Sequence, residues 1–365
     1  MKIKEVIHAL EMFAPLPLQE SYDNAGLQVG LTDAEITGAL LCIDVTEAIV
    51  EEAIKKDCNL IVSHHPLIFK GCKSLTGRDY VERCVMQAIK YDIAIYTLHT
   101  NVDNAPEGVS HKMGQLLGLQ NMQVLEQKEN LLLKLSVYVP HDYVEKVRTA
   151  LFQVGCGHIG AYDQCSFGVE GVGTFRPQEG SNPFCGTPRI LHNEPETRLE
   201  VILPTYLRRV AVATLKSVHP YEEPAFDLIP LYNEWSTVGS GIIGELSIPM
   251  DEKNFLYKVK EIFKIGAVKH SPFTAGRSIK RVALCGGSGG FLLPLAAQQQ
   301  ADVFLTGEIK YHDYFFYQDK LLIADIGHYE SEQYTTDIFQ SVIRKFSSDI
   351  RIVTTEINTN PINYL

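Results

Sequence analysis

Short apolar runs alternate with segments of helical period along most of this chain, and that alternation limits the folds open to it. GALLCIDVT (38–46), NLIVSHHP (59–66) and IAIYTLHT (93–100) have the composition of buried strands. Between and after them, EAIVEEAIKKD (47–57), YVERCVMQAIKYD (80–92) and SHKMGQLLGL (110–119) place apolar residues at helical spacing. Strands apolar on both faces need cover on both faces, so the pattern predicts a largely parallel sheet flanked by helices. It resumes late in the chain with strands in RVALCGGSGG (281–290), ADVFLTGE (301–308) and LLIADIGH (321–328). Helices are expected over KNFLYKVKEIFK (253–264), FLLPLAAQQQ, YHDYFFYQD and YESEQYTTDIFQSVIRKF (329–346), with a last strand in RIVTTEINTNPI. At the start, a helix over residues 2–13 is stopped by Pro15 and Pro17, and SYDNAGLQVG (21–30) turns into a short strand.

Between these stretches the pattern differs. LLLKLSVYVP (131–140), TRLEVILP (197–204) and FDLIPLY (226–232) read as strands, with helices over 142–155 and 206–220. The expectation is therefore an α/β fold: a layered core with a mixed, largely parallel sheet, formed by residues 1–125 and 239–365. An α+β ferredoxin-like module over residues 126–238 interrupts it. The glycine-rich stretch 168–197 is expected to be loop and hairpin, and HPYEEPAFD (219–227), with His219, Glu222 and Glu223 close together, a structural loop or a subunit contact, with ligand binding the alternative.

Composition narrows the function. A formal net charge of -11 with no basic run argues against a nucleic-acid coat. The eight cysteines form no CxxC pair, which disfavours both a thiolate zinc knuckle and a disulfide framework. The first residues, MKIKEVIHALEMF, intersperse charges where a secretory signal would be continuously apolar, and no run approaches transmembrane length. The expected location is cytoplasmic.

Chemistry-bearing residues gather where the strands are expected to end. A regular strand sends neighbouring side chains to opposite faces, so His64 and His65 converge only where the strand has stopped, as Pro66 favours. YTLHTNVD (96–103) closes the next strand with His99 and Asp103. GHYESE (327–332) places His328 and Glu332 four residues apart, on one face of a helix that begins there. Read singly, each has an ordinary alternative: a surface histidine pair, a turn before Pro106, an exposed pair or helix cap. Together they occupy the carboxyl ends of strands, where open α/β sheets bind ligands.

His64, His65, Asp103, His328 and Glu332 outnumber the protein ligands of a closed tetrahedral zinc site. They suit two divalent ions sharing a carboxylate, with Asp103 the candidate bridge and zinc, iron, manganese, cobalt or nickel all compatible with the donors. Such a pair acidifies water, so hydrolysis is the natural chemistry. His99 and Glu308 (in TGEIKYHDY) are candidate orienting or proton-transfer groups, or else helix-terminal polar residues. The glycines of CGGSGG match neither phosphate-loop spacing and read as a tight turn against the site. His111 reads as a surface or capping residue.

SYDNAGLQVG, SHHP, HTNVD, TGEIKYH, GHYESE and the terminal INTNP, in that order, closely resemble the GTP cyclohydrolase 1 type 2 homolog family, also called NIF-three-like. The resemblance implies an α/β core with a dinuclear metal site whose ligands map onto His64, His65, Asp103, His328 and Glu332. It further implies self-association into a toroidal homohexamer with the sites facing an inner cavity. The middle module resembles the insertion of longer bacterial members, which is similar to the CutA and PII trimeric folds. The implied activity is metal-dependent hydrolysis of GTP or a related small substrate. Phosphoester hydrolysis at the same ions is an alternative, as is a non-enzymatic metal-binding scaffold whose module senses a small-molecule ligand.

Overall fold

Residues 1–363 are described in a computed structural model. Its strands in the first part of the chain are β1 (Gly26–Val29), β2 (Ala39–Cys42), β3 (Leu60–Ser63), β4 (Ala94–Thr97) and β5 (Leu119–Lys128). The middle holds β6 (Leu132–Pro140), β7 (Ser166–Phe175), β8 (His192–Pro204), β9 (Phe226–Leu231) and β10 (Trp235–Asp251). There follow β11 (Lys269–His270), β12 (Ser278–Leu284), β13 (Val303–Thr306), β14 (Leu322–Asp325) and β15 (Ile352–Thr354). The chain divides into two compact units, one of Met1–Gln127 with Thr237 onward and the other of Lys128–Ser236.

The first unit builds its core on two sheets. One has the order β1-β4-β3-β2-β15, parallel throughout except for β1, which runs antiparallel to β4. The other has the order β11-β14-β13-β12-β10-β5, with β12, β13 and β14 parallel, β10 antiparallel to β12 and β11 antiparallel to β14. All four residues of each of β2, β3, β4, β13 and β14 are buried, the condition for a parallel sheet covered on both faces. Leu40, Ile61 and Ile95 pack against Ile49 and Cys84 of the covering helices, each large side chain contributing about 1.5–3 kcal/mol by burial. Phe255, Phe263, Val282 and Leu305 do the same for the second sheet.

Local chemistry sets the helix starts. Thr46 accepts from Ile49 N, Asp79 from Glu82 N and Asp251 from Asn254 N, satisfying backbone donors that have no partner within the helix. Because every strand of a parallel run points the same way, several strand ends reach the same rim. There Ser63 and Thr97 stand in register, their hydroxyls 2.8 Å apart.

The second unit runs β6, helix Val144–Gln153, β7, β8, helix Arg208–Val218, β9, with sheet order β7-β8-β6-β9 and every neighbouring pair antiparallel. That is the strand and helix order of a ferredoxin-like arrangement. The stretch expected as loop and hairpin is a β7–β8 hairpin with the joining segment 176–191 between its strands. Ser166–Phe175 pairs residue by residue with β8 from Val201 back to His192, and this ladder outweighs the weak strand preference of Gly168, Gly171 and Gly173. Among the described residues no helix is long and apolar enough to cross a membrane.

Candidate metal centre

The first unit brings residues from distant parts of the chain to one rim. His64 and His65 follow the last residue of β3, and both backbone N–H groups are held by Ile43 O, at 3.2 and 2.9 Å. Leu98 and His99 follow β4, with Leu98 N donating to Ser63 O at 3.0 Å. Asp103 lies on the short helix Thr100–Asn104. His328 and Glu332 lie one turn apart on the helix His328–Glu332, entered just after β14.

Each of the three imidazoles facing Glu332 has its Nδ1 engaged by an oxygen. His64 Nδ1 is 3.0 Å from Leu98 O, His65 Nδ1 is 2.8 Å from Asp44 Oδ1, and His328 Nδ1 is 3.0 Å from Glu308 Oε1. A proton on each Nδ1 donates to these oxygens, which turns Nε2 toward the centre, the arrangement that outer partners impose on metal-binding histidines. Glu332 Oε1 is 3.5 Å from His64 Nε2, and Oε2 is 3.0 Å from His65 Nε2 and 3.2 Å from His328 Nε2. The Nε2 atoms of His65 and His328 are 3.3 Å apart, a repulsive approach of lone pairs unless a proton or a cation lies between them. Asp103 approaches from the His64 side, Oδ1 to Nε2 3.9 Å, with 29% of its side chain exposed.

The donor set fits a metal. His64 Nε2 and Asp103 Oδ1 are buried without a hydrogen-bond partner, and so is Glu332 Oε2, for which only the ion pairs remain. Unsatisfied buried polar atoms are costly, and a cation placed among these donors would satisfy them. Ligand atoms of His64, His65 and Glu332 all lie within 4.8 Å of one another.

Electrostatics divide the group. Burial pushes the Asp103 carboxyl up, and the charge of Glu332 adds to it. Burial also works against ionisation of Glu332, but His64, His328 and His65 outweigh it and hold this carboxyl well below its ordinary range. His64 is pushed down by its burial. Burial opposes the charge on His65, yet Asp44 and Glu332 raise it to about 10; His328, likewise opposed by burial, is raised by Glu332 to about 9.

Glycine makes the room for Glu332. A Cβ on Gly287, whose φ is +60°, would stand 2.2 Å from Glu332 Oε1, and one on Gly307 would stand 2.7 Å from the His328 Cα. The CGGSGG segment is thus a turn packed against the site.

His99 faces the same region from the other side, its ring centroid 5.4 Å from His64 and 5.5 Å from His65. Its Nδ1 is 2.7 Å from Asp23 Oδ1, and Asp23 also accepts from Thr100 N and Oγ1. Burial opposes the Asp23 charge, but His99 and Thr100 bring the carboxyl down to about 2. A cavity of about 230 Å³ adjoins the cluster, lined among others by Tyr22, His99, Asp103, Ser288, His328 and Glu332. Glu308 is outside that lining and serves His328 instead. His111 is half-buried, with its Nδ1 unpartnered.

Residues 1–361 match the family model described as Duf34/NIF3 (NGG1p interacting factor 3). The chain belongs to the Duf34/NIF3 family. Among relatives, a GTP cyclohydrolase 1 type 2 homolog of Halalkalibacterium halodurans is 35% identical over 99% of this chain and 98% of its own. One of Bacillus subtilis is 33% identical over the same shares. The crystal structure of a Bacillus cereus protein related to NIF3 superposes with a TM-score of 0.87 at 34% identity, over 100% of this chain and 99% of that one. The α/β fold is therefore that of Duf34/NIF3 proteins.

Sequence reasoning about this Duf34/NIF3 chain passed over three residues. Asp44 and Asp23 orient His65 and His99, and Thr359 Oγ1 donates to Asp44 Oδ2 at 2.7 Å. Their signals were present in CIDVT, SYDNAG and INTNP. Asp44 follows an apolar run directly, and an acid at that position was the one sign available for it.

Proposed function

We propose that this protein is a metal-dependent hydrolase that holds two divalent ions and acts on a nucleotide or a related small substrate. The observation that carries this reading is the convergence of three oriented imidazoles on the two oxygens of Glu332. Because Oε1 faces His64 while Oε2 faces His65 and His328, we assign Glu332 the bridging role that the sequence suggested for Asp103. Asp103 completes the ligands on the His64 side. Bound there, divalent ions supply Lewis acidity toward a substrate oxygen and acidify water.

The chain's own groups do the rest. Asp44, Glu308 and Leu98 O fix the three rings. His99, held by Asp23 at the wall of the cavity, exchanges a proton with the reacting group through Nε2. At about 230 Å³ the cavity is smaller than the roughly 300–1,000 Å³ usual for sites that enclose a drug-sized ligand, so it suits one end of a nucleotide. The substrate class is supported by relatives named GTP cyclohydrolase 1 type 2 homolog.

The test is turnover of a panel of nucleotides, GTP included, by metal-loaded protein and by a His64→Ala/Asp103→Ala double variant. Turnover that disappears in the variant supports the proposal. Equal turnover in both would remove the centre from the mechanism, and bound metal without turnover of any substrate would leave a metal-binding protein rather than a hydrolase.

A further inference from the structure

The second unit brings together a second group of side chains of the kinds that ligate metals. His192, Glu194 and Glu196 alternate along the start of β8 and so share one face of its sheet. Their partners on β7 are Phe175, Gly173 and Gly171. Gly173 makes room for the Glu196 carboxylate, since a Cβ there would stand 2.1 Å from Glu196 Oε2, and the space at Gly171 is open. The segment joining the two strands folds back over this face and brings Cys185 to it. Gly186, with φ +81°, makes that return: a Cβ there would stand 3.0 Å from the His192 Cβ.

Donor atoms of Cys185, His192 and Glu194 all lie within 4.8 Å of one another. His192 Nε2 is 2.7 Å from Glu194 Oε2, and Cys185 Sγ is 3.8 Å from the Tyr221 hydroxyl, which itself donates to Glu196 at 2.7 Å. The rings of Phe175, Phe184 and Tyr221 stand around the group, with Phe175 5.3 Å from the His192 ring and 5.7 Å from that of Tyr221. All three donors are half-buried, enough to limit competition from water while leaving a way in.

We propose that Cys185, His192 and Glu194 bind one zinc-class divalent ion, a second kind of metal site in this chain. A thiolate, an imidazole and a carboxylate are the donors zinc takes in tetrahedral sites, and three of them leave a fourth position for water. The thiolate argues against magnesium and calcium, and the carboxylate against copper(I). On binding, the thiol proton and the proton shared by His192 and Glu194 leave to solvent, and no electron moves. The ion ties the segment 176–191 to the head of β8, beside a cavity of about 610 Å³ lined by Phe175, Phe184, Glu196 and Tyr221.

Cobalt(II) is the probe, because only a site with a thiolate ligand gives a sulfur-to-cobalt charge-transfer band in the near ultraviolet. Titrating the full-length, metal-free protein should bring this band to a plateau by about three equivalents of cobalt, two for the core centre and one for this site. Cys185→Ser should abolish it and His192→Ala should weaken binding at this site at least tenfold, with folding of each checked by circular dichroism. Cys72→Ser, at an exposed cysteine remote in sequence, and Glu332→Ala in the other centre should leave the band intact. The Glu332 variant keeps the two sites separable, since loss of the core metals would not remove this signal. No band in the wild type, a band that survives Cys185→Ser, or His192→Ala binding as tightly as wild type would overturn the proposal.

Discussion

Asp44 reaches His65 with one carboxylate oxygen and Thr359 with the other, so the ring that faces Glu332 is fixed from two sequence-distant segments. An amide in its place can still accept one bond but loses the charge that favours a donating Nδ1. Asp44→Asn is expected to weaken metal binding by about 10- to 100-fold, measured by competition with a chromophoric chelator. The same residues set a pH dependence. In the metal-free protein His65 and His328 hold protons up to about pH 10 and 9, well above the ordinary imidazole value. Those protons occupy the nitrogens a metal needs. Affinity should therefore rise with pH toward that range, by about tenfold per unit for each proton released, and calorimetry in buffers of different ionisation enthalpy will count the protons. For the metal-free fold the sign is opposite. Raised imidazole values stabilise fully below the unfolded pKa, and that contribution is lost as pH climbs through 9 and 10.

At the scale of elements, the centre depends on turns as much as on strands. Gly287→Ala forces a side chain into left-handed backbone, costing about 1–2 kcal/mol, and into the space of Glu332 Oε1. A lowered thermal midpoint together with reduced metal occupancy is expected, whereas full occupancy would mean that Glu332 tolerates displacement. The strands and most helices around the site were legible because apolar runs and helical periods report burial directly. His64, His65, Asp103, His328 and Glu332 were legible because each sits just past such a run. Which carboxylate faces the three imidazoles was not, since that depends on how separate strand ends meet. The hairpin over 168–197 was legible but the extent of Ser166–Phe175 was not, because its glycines carry little strand signal and pairing with β8 sets its length. Cys185 escaped notice because no neighbouring Cys or His in sequence accompanies it closely, while Gly186 brings it to His192 in space.

At the scale of the whole molecule, the proposed metal binding links to the fold. A ligand that binds only the folded state stabilises it by about 2.7 kcal/mol at a hundredfold excess over its dissociation constant. Scanning calorimetry should show a higher midpoint for loaded than for stripped protein, and the difference should shrink sharply in Glu332→Ala. Assembly is a separate proposal, drawn from the family resemblance: a ring of six chains. Light scattering should then give a particle of six times the 40.8 kDa chain, and a monomer at micromolar concentration would contradict it. The measurement that bears most directly on the central claim is elemental analysis of untagged protein, alongside Glu332→Ala. So that the proposed second-unit site does not add to the count, both are prepared in a Cys185→Ser background. About two transition-metal ions per chain, falling below one in the Glu332 variant, are predicted. No metal as purified and none recovered on reconstitution would contradict the account.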